Sequence, residues 1–303
     1  MSHHIGVARA LGVSFAVAAL TLAACGDDGG GGGGQGGGAS PAPTQQKDPA
    51  LAAKVPDAIA SDGTITIGVD ASYAPNEFLA EDGKTVKGFD VDLFDAVAQK
   101  LGLKTEWSPA PFDAIIPGVD SGKYEIGVSS FTINPERKQT VNMVSYFSAG
   151  TQWATKKGNP EGVAPDDACG KKIAVQRGTV QATEDLPVRQ EECSSAGKSG
   201  IAVDQYQQQD QATAAIVSGK DAAMLADSPI VAYAVEQTGG QLETLGEIYD
   251  AAPYGYVVPK DQTEFAEVLA EAVQSLIDDG PYQKVLDEWG VSQGAVETSE
   301  VNP

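Results

Sequence analysis

The chain has 303 residues, a length that suggests about two domains, and sets 20 Lys and Arg against 42 Asp and Glu for a formal net charge of -22. That balance excludes the basic face a nucleic-acid binder needs and disfavours docking by charge on an anionic membrane. Hydrophobic residues make up 42% of the sequence, enough for a core. His3 and His4 are the only histidines, so an exported chain that loses its N-terminus has no Ser-His or Cys-His nucleophile and no imidazole metal site.

Residues 1–24 read as an export signal: Arg9 near the start, an apolar run from Ala10 to Leu22, and small residues before Cys25. The run is short for a membrane span, which needs about 20 apolar residues. Leu22-Ala23-Ala24-Cys25 resembles the bacterial lipobox, and the likeness implies a lipid on Cys25 that anchors the chain to the outer face of the cell membrane. Residues 25–60, with unbroken glycine from Gly29 to Gly34 and a Pro-rich stretch after it, read as a flexible tether with an end-to-end distance of roughly 30–35 Å. No phosphate loop is present: Gly83-Lys84-Thr85 and Gly197-Lys198-Ser199 have Phe78 and Glu192 where the upstream glycine would stand.

From Thr64 the pattern alternates between strand and helix. Residues 64–69 are β-branched and bounded by Gly63 and Gly68, a strand; 90–101 place Phe94, Val97, Ala98 and Leu101 on one helical face. A short helix over 113–119 and a short strand over 125–128 follow. Asn134 and Pro135 have the residue types of an N-cap and first helical position, which starts a helix over 135–140 before an extended stretch at 144–155. A second alternating set comprises strands at 172–175, 201–203 and 222–226, with helices at 179–189, 207–218 and 228–237. Within it Cys169 and Cys193, an even pair in an exported chain, read as a disulfide, the alternative being two separate buried thiols; no Cys-x-x-Cys redox motif exists. Residues 254–258 return to strand, 262–279 form a long helix stopped by Gly280-Pro281, and 282–289 a last short one. No repeat of 20–50 residues is visible. Such alternation implies α/β lobes with largely parallel sheets, which bind ligands outside the carboxyl ends of their strands.

Polar residues gather at those ends. Asp70 and Tyr73 follow the first strand; Ser129, Ser130 and Thr132 follow the strand at 125–128, with Arg137 in the next helical turn; Gln176 and Thr179 follow the strand at 172–175; Asp227 follows the strand at 222–226. Taken singly each has an ordinary reading: Asp70 as a turn residue, the serines as loop hydroxyls, Arg137 as a surface ion pair, Asp227 as a helix cap, Tyr73 and Phe112 as core. Together they have a chemical logic. A guanidinium fork binds a carboxylate, a carboxylate suits an ammonium, hydroxyls and helix N-terminal amides supply further donors, and two aromatic rings could sandwich an aliphatic stem. That set would read a free α-amino acid.

The stretches Ile67-Gly68-Val69-Asp70-Ala71-Ser72-Tyr73-Ala74-Pro75, Gly88-Phe89-Asp90-Val91-Asp92-Leu93, Phe112-Asp113-Ala114-Ile115-Ile116-Pro117, Gln176-Arg177-Gly178-Thr179, Asp227-Ser228-Pro229 and Tyr254-Gly255-Tyr256-Val257-Val258-Pro259-Lys260, in that order, resemble the bacterial extracellular solute-binding proteins of family three. The resemblance implies a two-lobed α/β fold of the type II periplasmic-binding-protein (flytrap) kind with two crossover strands. One lobe would comprise residues 61–152 with 253–303, the other 153–252. It implies that Arg137 grips the α-carboxylate with help from Thr179, that Asp227 takes the α-ammonium, that Ser129, Ser130 and Thr132 lend hydroxyl or amide contacts, and that Asp70, Tyr73 and Phe112 form the side-chain pocket. Gln176 stands at a position that tunes side-chain choice, and Asn76 departs from the Phe common in the family.

The resulting expectation is an extracytoplasmic amino-acid-binding lipoprotein of an ABC importer, with no cofactor or metal and no catalysis, monomeric, delivering its ligand to a permease whose ATPase is a separate subunit. Asp70 in a closed cleft would repel an acidic side chain, which favours glutamine, histidine, arginine or lysine. The alternatives are an enzyme on the same fold, such as a dehydratase, and a sensory amino-acid receptor.

Overall fold

The computed structural model describes residues 44–303. The export signal, Cys25 and the tether as far as residue 43 lie outside the described residues. The rest of the expected tether is folded chain. Pro49–Ala52 (α1) is capped by Asp48, whose carboxylate accepts from the Ala50 and Leu51 amides, and Asp57–Ala60 (α2) follows. Leu51, Val55 and Ile59 recur every fourth residue, and all of them are buried in the main core. The Pro-rich composition concealed that periodicity.

The chain then forms β1 (Thr64–Val69) and a small antiparallel sheet of β2 (Ser72–Tyr73), β3 (Glu77–Leu79) and β4 (Val86–Lys87). There follow α3 (Phe89–Leu101), β5 (Lys104–Pro109), α4 (Phe112–Asp120), β6 (Ile126–Gly127), α5 (Pro135–Thr140) and β7 (Val141–Lys156). Next come β8 (Lys172–Gln176), a π-helical turn over Gln181–Asp185, α6 (Leu186–Ser195), β9 (Ala202–Tyr206), α7 (Gln209–Ser218), β10 (Ala223–Asp227) and α8 (Ser228–Gln237). The last elements are β11 (Leu242–Pro259), α9 (Thr263–Asp279) and α10 (Pro281–Glu288).

The principal sheet has the order β5-β1-β6-β11-β7-β10-β8-β9. On one flank β5, β1 and β6 are parallel; on the other, β10, β8 and β9 are parallel. Between them β7 and β11 run antiparallel to each other for almost their whole length, and each flank joins one of them antiparallel. Register shifts between Leu245 and Ala252 break the ladder where the pair crosses from one flank to the other. This is the two-lobed α/β architecture with two crossover strands. The flanks have separate cores: Phe89, Phe94, Tyr146, Tyr256 and the apolar stripe of α9 on one side, and Trp153, Ile173, Val175 and Leu225 on the other.

β7 exceeds the expected strand at 144–155 by only a few residues at its ends, whereas β11 extends well before the expected 254–258 because residues 243–253 are partly or fully exposed and carry no strand-like apolar pattern. β5 had no such pattern; its Lys-Thr-Glu-Trp-Ser-Pro sequence lies on a half-exposed edge. The expected helix over 179–189 opens as a π-helical turn. Pro187 has no N–H to offer the Thr183 carbonyl, so the regular i to i−4 ladder cannot run through. The Cys169–Cys193 disulfide is present, with Cα atoms 5.6 Å apart, and ties the N-terminal approach to β8 onto α6. No helix among the described residues is long and apolar enough to cross a membrane.

Candidate functional site

Of the residues expected at the strand ends, Asp70, Arg137, Gln176, Tyr73 and Asp227 make contacts between the flanks, whereas Ser129, Ser130 and Thr179 do not face that gap. Asp70 leaves β1 and is buried; Ser129 and Ser130 follow β6; Gln176 ends β8; Asp227 ends β10. The parallel strands of each flank point their carboxyl ends at the same gap, which is why residues far apart in sequence meet there.

Asp70 is held from several sides. Its Oδ1 accepts from the Ser72 hydroxyl at 2.6 Å; its Oδ2 accepts from the Phe112 amide at 3.0 Å and from Gln176 Nε2 at 2.8 Å. Burial pushes its pKa up to about 6, against the pull of those hydrogen bonds. Gln176 comes from the opposite flank. Its Oε1 is buried and has no hydrogen-bond partner, so an acceptor stands beside the Asp70 carboxylate.

Arg137 lies with its guanidinium carbon 5.5 Å from the Phe112 ring centre and 5.6 Å from that of Phe131, the rings themselves stacked at 4.6 Å. Its Nη1 donates to the Thr132 carbonyl at 2.7 Å and its Nη2 to the Gly178 carbonyl, across the cleft, at 3.0 Å. Burial lowers its pKa to about 10, so it stays cationic at neutral pH. The ordinary reading of a surface ion pair does not hold. α5 brings Arg137 inward because Asn134 caps the helix as expected, accepting from the Arg137 amide at 2.8 Å. Gly178, at a φ of +81°, makes the approach possible; a Cβ there would sit 3.0 Å from Asp113 Cβ.

Asp227 does not cap α8 with its side chain. Its Oδ1 accepts from Gln181 Nε2 at 2.7 Å, and its Oδ2 from the Tyr254 hydroxyl at 2.6 Å. Burial raises its pKa, opposed by those hydrogen bonds and by Arg137. Tyr73 crosses the gap: its hydroxyl accepts from the Asp227 amide at 3.2 Å, and its ring packs among Ala154, Ala174, Met224 and Ile230 of the far flank. The Thr179 hydroxyl donates back to the Gln176 carbonyl at 2.9 Å and shapes the turn rather than facing the gap. Ser129 and Ser130 also turn inward. The Ser129 hydroxyl accepts from the Asp70 amide and donates to Glu77, and that of Ser130 sits among Asn76, Glu77 and Asp90.

Sequence reading gave no role to Tyr254 or Asp90, placed Gln181 only among the polar residues after the strand at 172–175, and named Glu77 only as a candidate carboxylate for the enzyme alternative. Tyr254 and Asp90 stand inside the quoted stretches, but nothing local says which carboxylates they or the others meet. Further contacts join the flanks, Ser72 to the Gln209 amide at 3.1 Å and Asn134 to Glu184 at 2.6 Å. Open space remains around this assembly. A cavity of about 260 Å³ lies beside Phe112, Phe131, Arg137 and Gly178, and one of about 230 Å³ beside Asp70, Leu79, Pro111 and Gln207. A larger one, about 470 Å³, lies on the crossover side against Thr132, Thr151, Val180 and Asp250. No cluster of His, Cys, Asp and Glu that could hold a metal ion occurs among the described residues. The arrangement offers one desolvated cation, one desolvated anion and, at a distance from them, an acidic group paired with a free acceptor.

The family model of the bacterial extracellular solute-binding proteins, family 3, matches residues 65–292. The arginine-binding protein ArgT of Corynebacterium glutamicum is 36% identical over 254 residues, which are 84% of this chain and 83% of that protein. Among solved structures, an ancestral arginine-binding protein bound to arginine superposes with a TM-score of 0.69 at 33% identity, covering 75% of this chain and 98% of its own. The ancestral amino-acid-binding protein AncCDT-1, described as a precursor of cyclohexadienyl dehydratase, gives a TM-score of 0.66 at 30% identity over 77% of this chain and 98% of its own.

Proposed function

The chain belongs to the bacterial extracellular solute-binding proteins of family 3, and from that membership we propose that it is the receptor of an ABC importer for a free cationic or polar L-amino acid, arginine before lysine, histidine or glutamine. The observation that carries the choice is Asp70 beside the partnerless Oε1 of Gln176, two acceptors in a buried place. A guanidinium presents several donors in a fixed fork and would meet both. An acidic side chain would meet a like charge at low dielectric. The name of ArgT and the arginine in the ancestral structure lend the same direction.

In this reading Arg137 and the amides of the Gly178-Thr179 turn receive the α-carboxylate, while Asp227 receives the α-ammonium. Thr132 contributes its backbone, and Tyr73 and Phe112 wall the aliphatic stem. Ser129 and Ser130 act from behind, through Asp70. The ligand must displace Gln181 or Tyr254 from part of Asp227 and the carbonyls from part of Arg137. Residues 61–152 with 253–303 form one lobe and 153–252 the other, and they close by bending at the register shifts of β7 and β11. Export by residues 1–24, a lipid on Cys25, a monomeric state and handover to a permease with a separate ATPase subunit complete the proposal.

Turnover is the second reading, favoured by the raised pKa of Asp70 and by the likeness to AncCDT-1. Binding is preferred because the buried carboxylates are already engaged by donors that hold them in place. A melting-temperature screen of the purified protein against the twenty L-amino acids tests this. Arginine at 100 times its dissociation constant should stabilise the fold by about 2.7 kcal/mol, and mass spectrometry should recover it unchanged. Absence of a shift with every amino acid overturns the ligand class, and a changed ligand overturns the non-catalytic reading.

A further inference from the structure

Behind Asp70 lies a polar cluster that takes no direct part in the proposed ligand contacts. Asn76, Glu77, Asp90, Ser129, Ser130 and Tyr146 are all buried. Ser129 accepts from the Asp70 amide at 3.0 Å and spends its own proton on Glu77 Oε1, also at 3.0 Å. The Ser130 hydroxyl accepts from Asn76 Nδ2 at 2.8 Å and lies 3.2 Å from Glu77 Oε2 and 3.0 Å from Asp90 Oδ2. Asp90 Oδ2 also accepts from the Ser130 amide at 2.9 Å and from the Tyr146 hydroxyl at 2.7 Å.

The proton inventory of this cluster does not close with two ionised carboxylates. Ser130 has one hydroxyl proton and faces two carboxyl oxygens, so one of those contacts needs a proton from a carboxyl group. Both carboxyls converge on that one hydroxyl, so the proton that completes the inventory lies on Glu77 or on Asp90. The titratable groups facing the pair are Asp70 at the end of β1, Tyr73 on β2, Tyr146 on β7 and Tyr256 on β11, and none is a cation. Ser130 holds a φ of +52°, a left-handed conformation that a side chain disfavours and that this network fixes in place.

We propose that Glu77 is a positioning residue of the cleft: it and Asp90 share one retained proton, and through Ser129 and Ser130 that shared proton sets the backbone of Asp70 and leaves Asp70 free to stay ionised toward the ligand. The balance is one proton for two carboxyl groups. Its loss would place like charges against each other in a buried space and against Asp70 as well, which would drive Asp70 toward its neutral form. Burial pushes the Glu77 carboxyl well above the ordinary carboxylate range, in line with the geometry. A group whose pKa is raised by folding gives stability that is present at low pH and lost as the pH rises through its folded value.

The inference uses the arginine reading only for one of its measurements. The full chain and its Glu77→Gln variant, which keeps the donor without the titration, are melted without ligand between pH 5 and 9. Wild type should lose stability with rising pH more steeply, by up to about one proton linked to unfolding. Arginine affinity, measured by calorimetry from pH 7.5 to pH 9, where Asp70 is already ionised, should fall at least tenfold further in wild type than in Glu77→Gln. Should Glu77→Gln fail to fold, the infrared band of a protonated carboxyl group in wild type at pH 8 decides the matter. Superimposable melting profiles, or no such band, overturn the shared proton. Arginine without effect on wild type at every pH overturns the ligand reading alone, because the ligand-free profiles still report on Glu77.

Discussion

Arg137 and Asp227 are buried charges of opposite sign that each already hold protein partners, and this decides how their variants behave. From the sequence, a cleft arginine without its ligand would be unpaired, and Arg137→Ala would cost binding but little stability. The structure corrects that expectation: Arg137 binds the carbonyls of Thr132 and Gly178 and packs on Phe112 and Phe131. Arg137→Ala should therefore abolish amino-acid binding and also destabilise the ligand-free fold by about 1–3 kcal/mol, read as a lower denaturant midpoint. Asp227→Asn keeps most of the volume and loses the charge; calorimetry should show a loss of affinity on the order of 100-fold. Asp70 adds a pH dependence. With its pKa pushed up to about 6, it is neutral well below that pH and ionised above it. Affinity for a cationic side chain should thus rise from pH 5 to pH 7.5, and Asp70→Asn should flatten that rise. The effect on stability has the opposite sign: a raised carboxyl pKa gives stability present in acid and lost as the pH rises through about 6.

At the scale of elements, the second lobe depends on connections that helix and strand propensity do not supply. The helix over 186–195 begins from a π-helical turn interrupted at Pro187, has little apolar face, and buries Leu186 and Cys193. The Cys169–Cys193 disulfide holds it to the start of β8. Cys169→Ser, with Cys193→Ser to avoid a free thiol, should cost roughly 3 kcal/mol, a fall in melting temperature of several degrees in a domain of this size. An unchanged melting temperature would show that the bridge adds nothing. The alternation of strand and helix was legible from residue types because β1, α3, α5, α8 and α9 carry strong period-two or period-3.6 patterns, caps or glycine stops. β5 and the middle of β11 were not, since an exposed edge and a crossover between lobes show neither pattern. The helices α1 and α2 were hidden in a segment whose proline content reads as tether.

For the whole molecule, the sheet order matters most. Placing β11 and β7 at the centre makes both lobes share one pair of long strands, and that pair loses register between Leu245 and Ala252. Sequence by itself determined the class of fold, the presence of two alternating α/β sets, the acidic surface and the identity of the polar residues at the strand ends, because these follow from local periodicity and from side-chain chemistry. Only the tertiary structure decided which of those residues face each other. Gln176 meets Asp70 across 106 residues, Gln181 meets Asp227 across 46, and Tyr73 reaches Asp227 across 154. It also turned Ser129 and Ser130 away from the gap and onto Glu77 and Asp90. A hydrogen bond is fixed by direction over about 3 Å, and the strand ends that meet here lie far apart in sequence, so no local pattern sets one against another.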